Sequence, residues 1–178
     1  MATSEWRCHW TGVGCNSGVG VWEVCECSGS CFVAGTTITM GDGTTKPIEK
    51  VREGDVVLAW DEATKRLVSS FVTKVHEPYQ VASYFRINGK IGVTGTHPFL
   101  TDSGWVKVED LLLGAQLVAG NGLSTPLLSI ERQDETVFVY NIAVEVGTYI
   151  AEELIVHNKD LPYEQQQPCP PDCEPHWR

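Results

Sequence analysis

Between residues 31 and 158 the apolar positions fall in short runs separated by turn residues. Val56-Val57-Leu58-Ala59-Trp60 follows the turn-like Glu53-Gly54-Asp55. Stretches 67–75 and 81–87 are rich in β-branched and aromatic residues, and Asn88-Gly89 between Ile87 and Ile91 reads as a two-residue hairpin turn. Further runs cover 98–101, 105–108, 125–130, 137–144, 148–150 and 154–156, with Asp102-Ser103-Gly104 as another hairpin turn. Only 108–112 has the look of a helical turn. Many short strands with turn signals between them predict an all-β domain, and no exact internal repeat is visible.

The segments outside this pattern differ in kind. Residues 1–30 carry Gly12, Gly14, Gly18 and Gly20 between Trp6, Trp10 and Trp22, a flank too short to build a core without cross-links. Residues 159–178 set Gln165, Gln166 and Gln167 among five prolines, a composition that reads as extended. The predicted organisation is therefore a 1–30 flank, a 31–158 domain and a 159–178 flank.

Composition narrows the function classes. The 178 residues carry a formal net charge of −10, which argues against nucleic acid as the main partner. No apolar run approaches the roughly 18 residues that suggest a membrane span, and the N-terminus lacks a signal-peptide pattern; the sequence assigns no compartment. Of seven cysteines, Cys8, Cys15, Cys25, Cys27 and Cys31 precede the long middle, and Cys169 and Cys173 follow it. The middle thus needs no disulfide, and Cys31 is the odd one out where the chain changes character. The other six pair in an oxidising setting or stay reduced. Their spacing, with His9 and His176 nearby, matches no standard zinc motif, so no metal is expected. Among the other residues weighed, His76 reads as surface or core packing, Trp60 and Trp105 as core, and Glu152-Glu153 as a solvated turn.

Three short motifs carry chemistry. Cys31 opens Cys31-Phe32-Val33-Ala34-Gly35-Thr36-Thr37-Ile38, Val93-Thr94-Gly95-Thr96-His97-Pro98-Phe99 lies between, and Val156-His157-Asn158 closes. Each alone is commonplace. In this order, at the ends and middle of a β domain, they resemble the Hint fold shared by inteins, hedgehog autoprocessing domains and bacterial intein-like domains. Gly41-Asp42-Gly43, Lys46-Pro47-Ile48-Glu49, Gly54-Asp55-Val56-Val57 and the block from Val139 through Asn141 to Glu145 also follow that pattern.

The resemblance implies a compact fold of many short strands in a pseudo-two-fold arrangement, and self-processing without a cofactor. Cys31 would attack the Ser30 carbonyl in an N-to-S shift. His97 would supply the proton to the departing amide nitrogen, and Thr94 would hold the peptide, with Thr96 the second choice because it faces away from His97 on a strand. Asn158 would cyclise and break the bond to Lys159, with His157 giving a proton to the leaving amine. The domain would act on its own flanks, and external thiol or water would accept the N-terminal acyl group. Efficiently splicing inteins have Cys, Ser or Thr after the terminal Asn; Lys159 is no such nucleophile, so cleavage is favoured over splicing, as in type A bacterial intein-like domains. Asn141 stands where many inteins have Asp, and Gly147 or Thr148 where many have His. Nothing suggests a homing endonuclease. The rival expectation is an inactive Hint-like structural module in a surface or toxin-like protein. A hedgehog-like transferase is disfavoured because it needs no cyclising Asn.

Overall fold

β-Branched and aromatic residues at alternating positions make strands because each pleat offers one face to a core and one to water. The computed structural model describes residues 30–158, and seventeen strands run through them. The first group is β1 (Phe32–Val33), β2 (Thr37–Thr39), β3 (Thr45–Pro47), β4 (Val56–Asp61), β5 (Arg66–Val75) and β6 (Tyr79–Val81). Next come β7 (Tyr84–Ile87), β8 (Ile91–Val93), β9 (Pro98–Thr101), β10 (Gly104–Lys107), β11 (Gln116–Val118) and β12 (Ser124–Pro126). The last are β13 (Ile130–Gln133), β14 (Val137–Tyr140), β15 (Ile142–Val144), β16 (Thr148–Ala151) and β17 (Leu154–His157). The all-β expectation holds.

The strands form three antiparallel sheets. One has the order β13-β7-β8-β1-β14-β6; a second runs β12-β11-β9-β17-β16-β2-β3, with β10 also on β9; the third is β15-β5-β4. In the second sheet β17 is central, and every residue of β16 and all but the last of β17 are buried. Phe32, Ile38, Phe99, Tyr149 and Val156 are fully enclosed in the core where the sheets meet. The first and last described strands, β1 and β17, are thus interior strands of two different sheets.

A duplication of architecture underlies the pseudo-two-fold arrangement. Hairpin β2–β3 leads into a 3-10 turn at Ile48–Lys50 and then β4; hairpin β9–β10 leads into a 3-10 turn at Val108–Asp110 and then β11. Both 3-10 turns close alike, Val51 N–H donating to the Ile48 carbonyl and Leu111 N–H to that of Val108. The second is the helical turn expected at 108–112; the first was not read from the sequence.

Several local expectations need correction. Ile87 pairs with Ile91, so three residues link β7 and β8 rather than two, although the chain does turn at Asn88 and Gly89, both with positive φ. The run 137–144 is broken at Asn141, and 125–130 is split between β12 and β13. Glu152 is no freely solvated residue: Oε1 accepts from the Thr37 N–H at 2.7 Å and Oε2 pairs with Lys90 Nζ at 2.7 Å. Trp60 and Trp105 are only partly buried, not core. His76 lies just beyond β5, its N–H donating to the Asn141 carbonyl. The expectations for the six outer cysteines, His9, His176, Lys159 and the flanks fall outside the described residues.

Candidate active site

The first group assembles around β1. Cys31, immediately before that strand, is 2% exposed. Its N–H donates to Thr94 Oγ1 at 2.9 Å, and the Thr94 N–H donates to the Cys31 carbonyl at 2.9 Å. Thr94 therefore grips both backbone polar groups of the residue whose nitrogen would depart. It is held there by a tight turn between β8 and β9, in which His97 N–H donates back to the Thr94 carbonyl. The second 3-10 turn pins this loop: Val108 N–H donates to the His97 carbonyl at 3.0 Å, and Glu109 N–H to that of Gly95 at 2.8 Å. A side chain at Gly95 would meet Phe85 and Glu109 at 3.0 to 3.2 Å, so the close approach favours glycine. Thr96 sits in this turn, not on a strand, and engages Ser30 through its backbone: the Ser30 hydroxyl donates to the Thr96 carbonyl at 3.2 Å.

His97 is fully buried, its ring packed against Phe32 at a centroid distance of 4.3 Å, with Phe99 and Tyr149 at 5.9 and 6.4 Å. Burial pushes its pKa down to about 3, and His157 acts in the same direction. Neither ring nitrogen has a hydrogen bond of ordinary geometry among the described residues, yet the backbones of Ser30 and His157 both stand close enough to favour protonation. One neutral imidazole thus lies near both ends of the domain. An imidazole in an apolar box is costly for stability, so packing alone gives no reason for histidine here.

The closing residues are held by β16 and the loop before it. Asn158 is 8% exposed. Its Nδ2 donates to the Val144 carbonyl at 2.7 Å, its Oδ1 accepts from the Val144 N–H at 3.1 Å, and its own N–H donates to the Gly147 carbonyl at 2.7 Å. His157 Nδ1 lies 3.0 Å from the Asn158 carbonyl oxygen. The sequence expectation put this ring at the departing amine; the contact is to the carbonyl of the same peptide bond. Gly147 has φ 86°, a left-handed conformation that disfavours a side chain, and a Cβ there would lie 3.8 Å from His157 Cε1. Thr148, opposite His157 in the register, instead ties Trp60 to the sheet: its Oγ1 accepts from Trp60 N–H at 2.8 Å and donates to the Trp60 carbonyl at 2.6 Å. Asn141 is buried, its Oδ1 3.4 Å from the Tyr149 hydroxyl while Nδ2 has no partner among the described residues.

Three neighbours were missed by sequence reading. The Tyr79 hydroxyl, on edge strand β6, is 3.3 Å from Cys31 Sγ. Glu62, in the β4–β5 turn, stands 3.7 Å from His157 Nε2. Trp105, on β10, packs edge-on against the His157 ring at 5.0 Å. No local motif marks any of them; sheet pairing alone brings them in. Among the described residues there is no cluster of three metal-ligating side chains.

The family described as the pretoxin Hint domain matches residues 37–159. The Tiggy-winkle hedgehog protein of Danio rerio is 30% identical over 119 residues, 66% of this chain and 27% of that protein, so the chain spans about a quarter of that relative's length. A bacterial intein-like domain from Clostridium thermocellum superposes with a TM-score of 0.67 at 30% identity, covering 74% of this chain and 100% of that one. A DnaB intein from Synechocystis sp. shares the fold at a TM-score of 0.60 and 22% identity, covering 72% and 98%.

Proposed function

The chain belongs to the pretoxin Hint domain family, whose fold supports autoprocessing in general, and from that premise we propose that residues 31–158 break the peptide bonds at both of their own ends. The observation that carries this reading is the buried His97 ring close to the backbones of Ser30 and His157.

At the first end the Cys31 thiol gives up its proton and Sγ bonds to the Ser30 carbonyl carbon. The carbon–nitrogen bond to Cys31 then breaks as the nitrogen takes a proton, leaving a thioester. This exchange is uphill for an ordinary peptide, so the site must assist it. Thr94 Oγ1, 2.9 Å from the Cys31 nitrogen, holds the departing group in place. A ring with a pKa near 3 is a weak base but, once protonated, a strong acid toward that nitrogen. External thiol or water then releases residues 1–30.

At the second end Asn158 Nδ2 bonds to its own backbone carbonyl carbon, losing a proton, and the bond to Lys159 breaks as the new amine gains one. A succinimide remains. A proton on His157 Nδ1, 3.0 Å from the carbonyl oxygen, stabilises the charge that develops there. Lys159 has neither thiol nor hydroxyl, so cleavage rather than splicing is the outcome.

A Hint module without turnover is the second reading. It is favoured by the Asn158 amide, which is bonded through both its atoms to the Val144 backbone and must turn from it to attack. The two readings part on one experiment. Excess small-molecule thiol added to the full chain releases residues 1–30 if the thioester forms, and Cys31→Ala abolishes that release. An intact chain under the same treatment supports the module without turnover.

A further inference from the structure

The second junction is braced from two directions. On one side Thr148 fastens the β4–β5 hairpin to β16 through both backbone polar groups of Trp60. The hairpin turn is itself fixed: Asp61 Oδ1 accepts from the Ala63 N–H at 2.9 Å, and Lys65 N–H donates to the Asp61 carbonyl at 2.8 Å. Glu62 projects from that turn. On the other side β17 pairs with β9 and β9 with β10, which carries Trp105. The two arms meet: Trp105 Nε1 donates to Glu62 Oε2 at 3.0 Å, leaving Oε1 3.7 Å from His157 Nε2. The indole then closes on the imidazole, rings at 88°.

His157 thus has an oxygen near each nitrogen, the Asn158 carbonyl at Nδ1 and the Glu62 carboxylate at Nε2. The two contacts and the indole face fix the orientation of the ring. We propose that Glu62 and Trp105 are positioning residues for the C-terminal break, holding the His157 ring with Nδ1 aimed at the Asn158 carbonyl. The role deepens the self-processing reading and rests on it for its effect on rate. It answers the glycine at 147: no second imidazole reaches this junction from that loop, and a carboxylate from a different sheet supports the one that is present. The other titratable group coupled to the ring is His97, which is kept neutral by burial and by His157 itself.

The test uses the full chain with Glu62→Gln, which keeps an acceptor for the indole and loses the charge, and with Trp105→Phe, which keeps a ring and loses the N–H. Ring-nitrogen NMR signals of His157, recorded on chains also carrying Asn158→Ala so that they stay whole, report how the ring is held. Both substitutions shift those signals. On chains with Asn158 intact, both slow loss of residues 159–178 by about tenfold, while thiol-induced release of residues 1–30, which also reports folding, proceeds at the parent rate. Unchanged ring signals in Glu62→Gln overturn the proposal, as does an unchanged C-terminal rate in a parent that cleaves. A parent that never cleaves, with ring signals that still respond to Glu62→Gln, retires the self-processing reading while the positioning of His157 stands.

Discussion

At the first junction the candidate groups are sealed in: Cys31 is 2% exposed, His97 is fully buried, and an aromatic box closes around the imidazole. At the second, the side chains of His157 and Glu62 retain 14% and 45% of their exposure. The two histidines are consequently prepared in opposite ways. Desolvation strips the proton from His97 at rest and makes it a strong acid if it ever gains one. His157 instead stands between the Glu62 carboxylate and the Asn158 carbonyl. Burial surrounds one imidazole and polar neighbours the other, one at each end of the domain.

The sharpest break in the comparison is to remove one nucleophile at a time. Cys31→Ala abolishes thiol-induced release of residues 1–30 and leaves loss of residues 159–178 in place; Asn158→Ala does the reverse. Intact mass reads both, and joint loss in either variant would show the junctions to be one coupled machine.

Next in size is the pH response of the buried histidine. Its folded pKa, about 3, lies below the unfolded value near 6.5, so between them the unfolded chain binds the extra proton. Stability from this group is therefore present above about pH 6.5 and declines as pH falls toward 3, by up to about 1.4 kcal/mol per pH unit. Denaturant melts between about pH 4 and pH 7 show this slope, and His97→Leu flattens it. An equal slope in that variant would place the buried proton deficit elsewhere.

Thr148→Val leaves the Trp60 N–H and carbonyl without their shared partner. It costs about 1–3 kcal/mol in thermal unfolding and slows the C-terminal break more than the N-terminal one. Equal slowing at both ends would mean that the hairpin supports the whole fold rather than the second junction.

The smallest effect belongs to Tyr79→Phe. Removing a hydroxyl 3.3 Å from Cys31 Sγ changes N-terminal release only a few-fold, on the scale of one neutral hydrogen bond, and C-terminal loss not at all.

How legible these parts were depended on where their causes lie. The strands were readable because β-branched runs and turn residues act locally, as at Asn88-Gly89 and before Gly104. The duplicated hairpin, 3-10 turn and strand was not readable as a repeat. Ile48-Glu49-Lys50 and Val108-Glu109-Asp110 share little more than an apolar residue followed by an acid. Cys31, Thr94, His97, His157 and Asn158 stood out because their motifs, in order, resemble the Hint pattern; the fold sets Thr94 on Cys31 and His97 near the backbones of Ser30 and His157. Glu152 shows the limit: its turn was visible, but its partners Thr37 and Lys90 are distant in sequence. The same limit hid Tyr79, Glu62 and Trp105. What they touch is decided by which strands become neighbours.

The most direct measurement is the intact mass of the freshly purified 178-residue chain followed over time, with and without added thiol. The account predicts a product ending at Asn158 that is lighter by one water than simple hydrolysis would leave, the mark of a succinimide. It also predicts loss of residues 1–30 that depends on thiol. A chain that keeps its full mass under both conditions would contradict it.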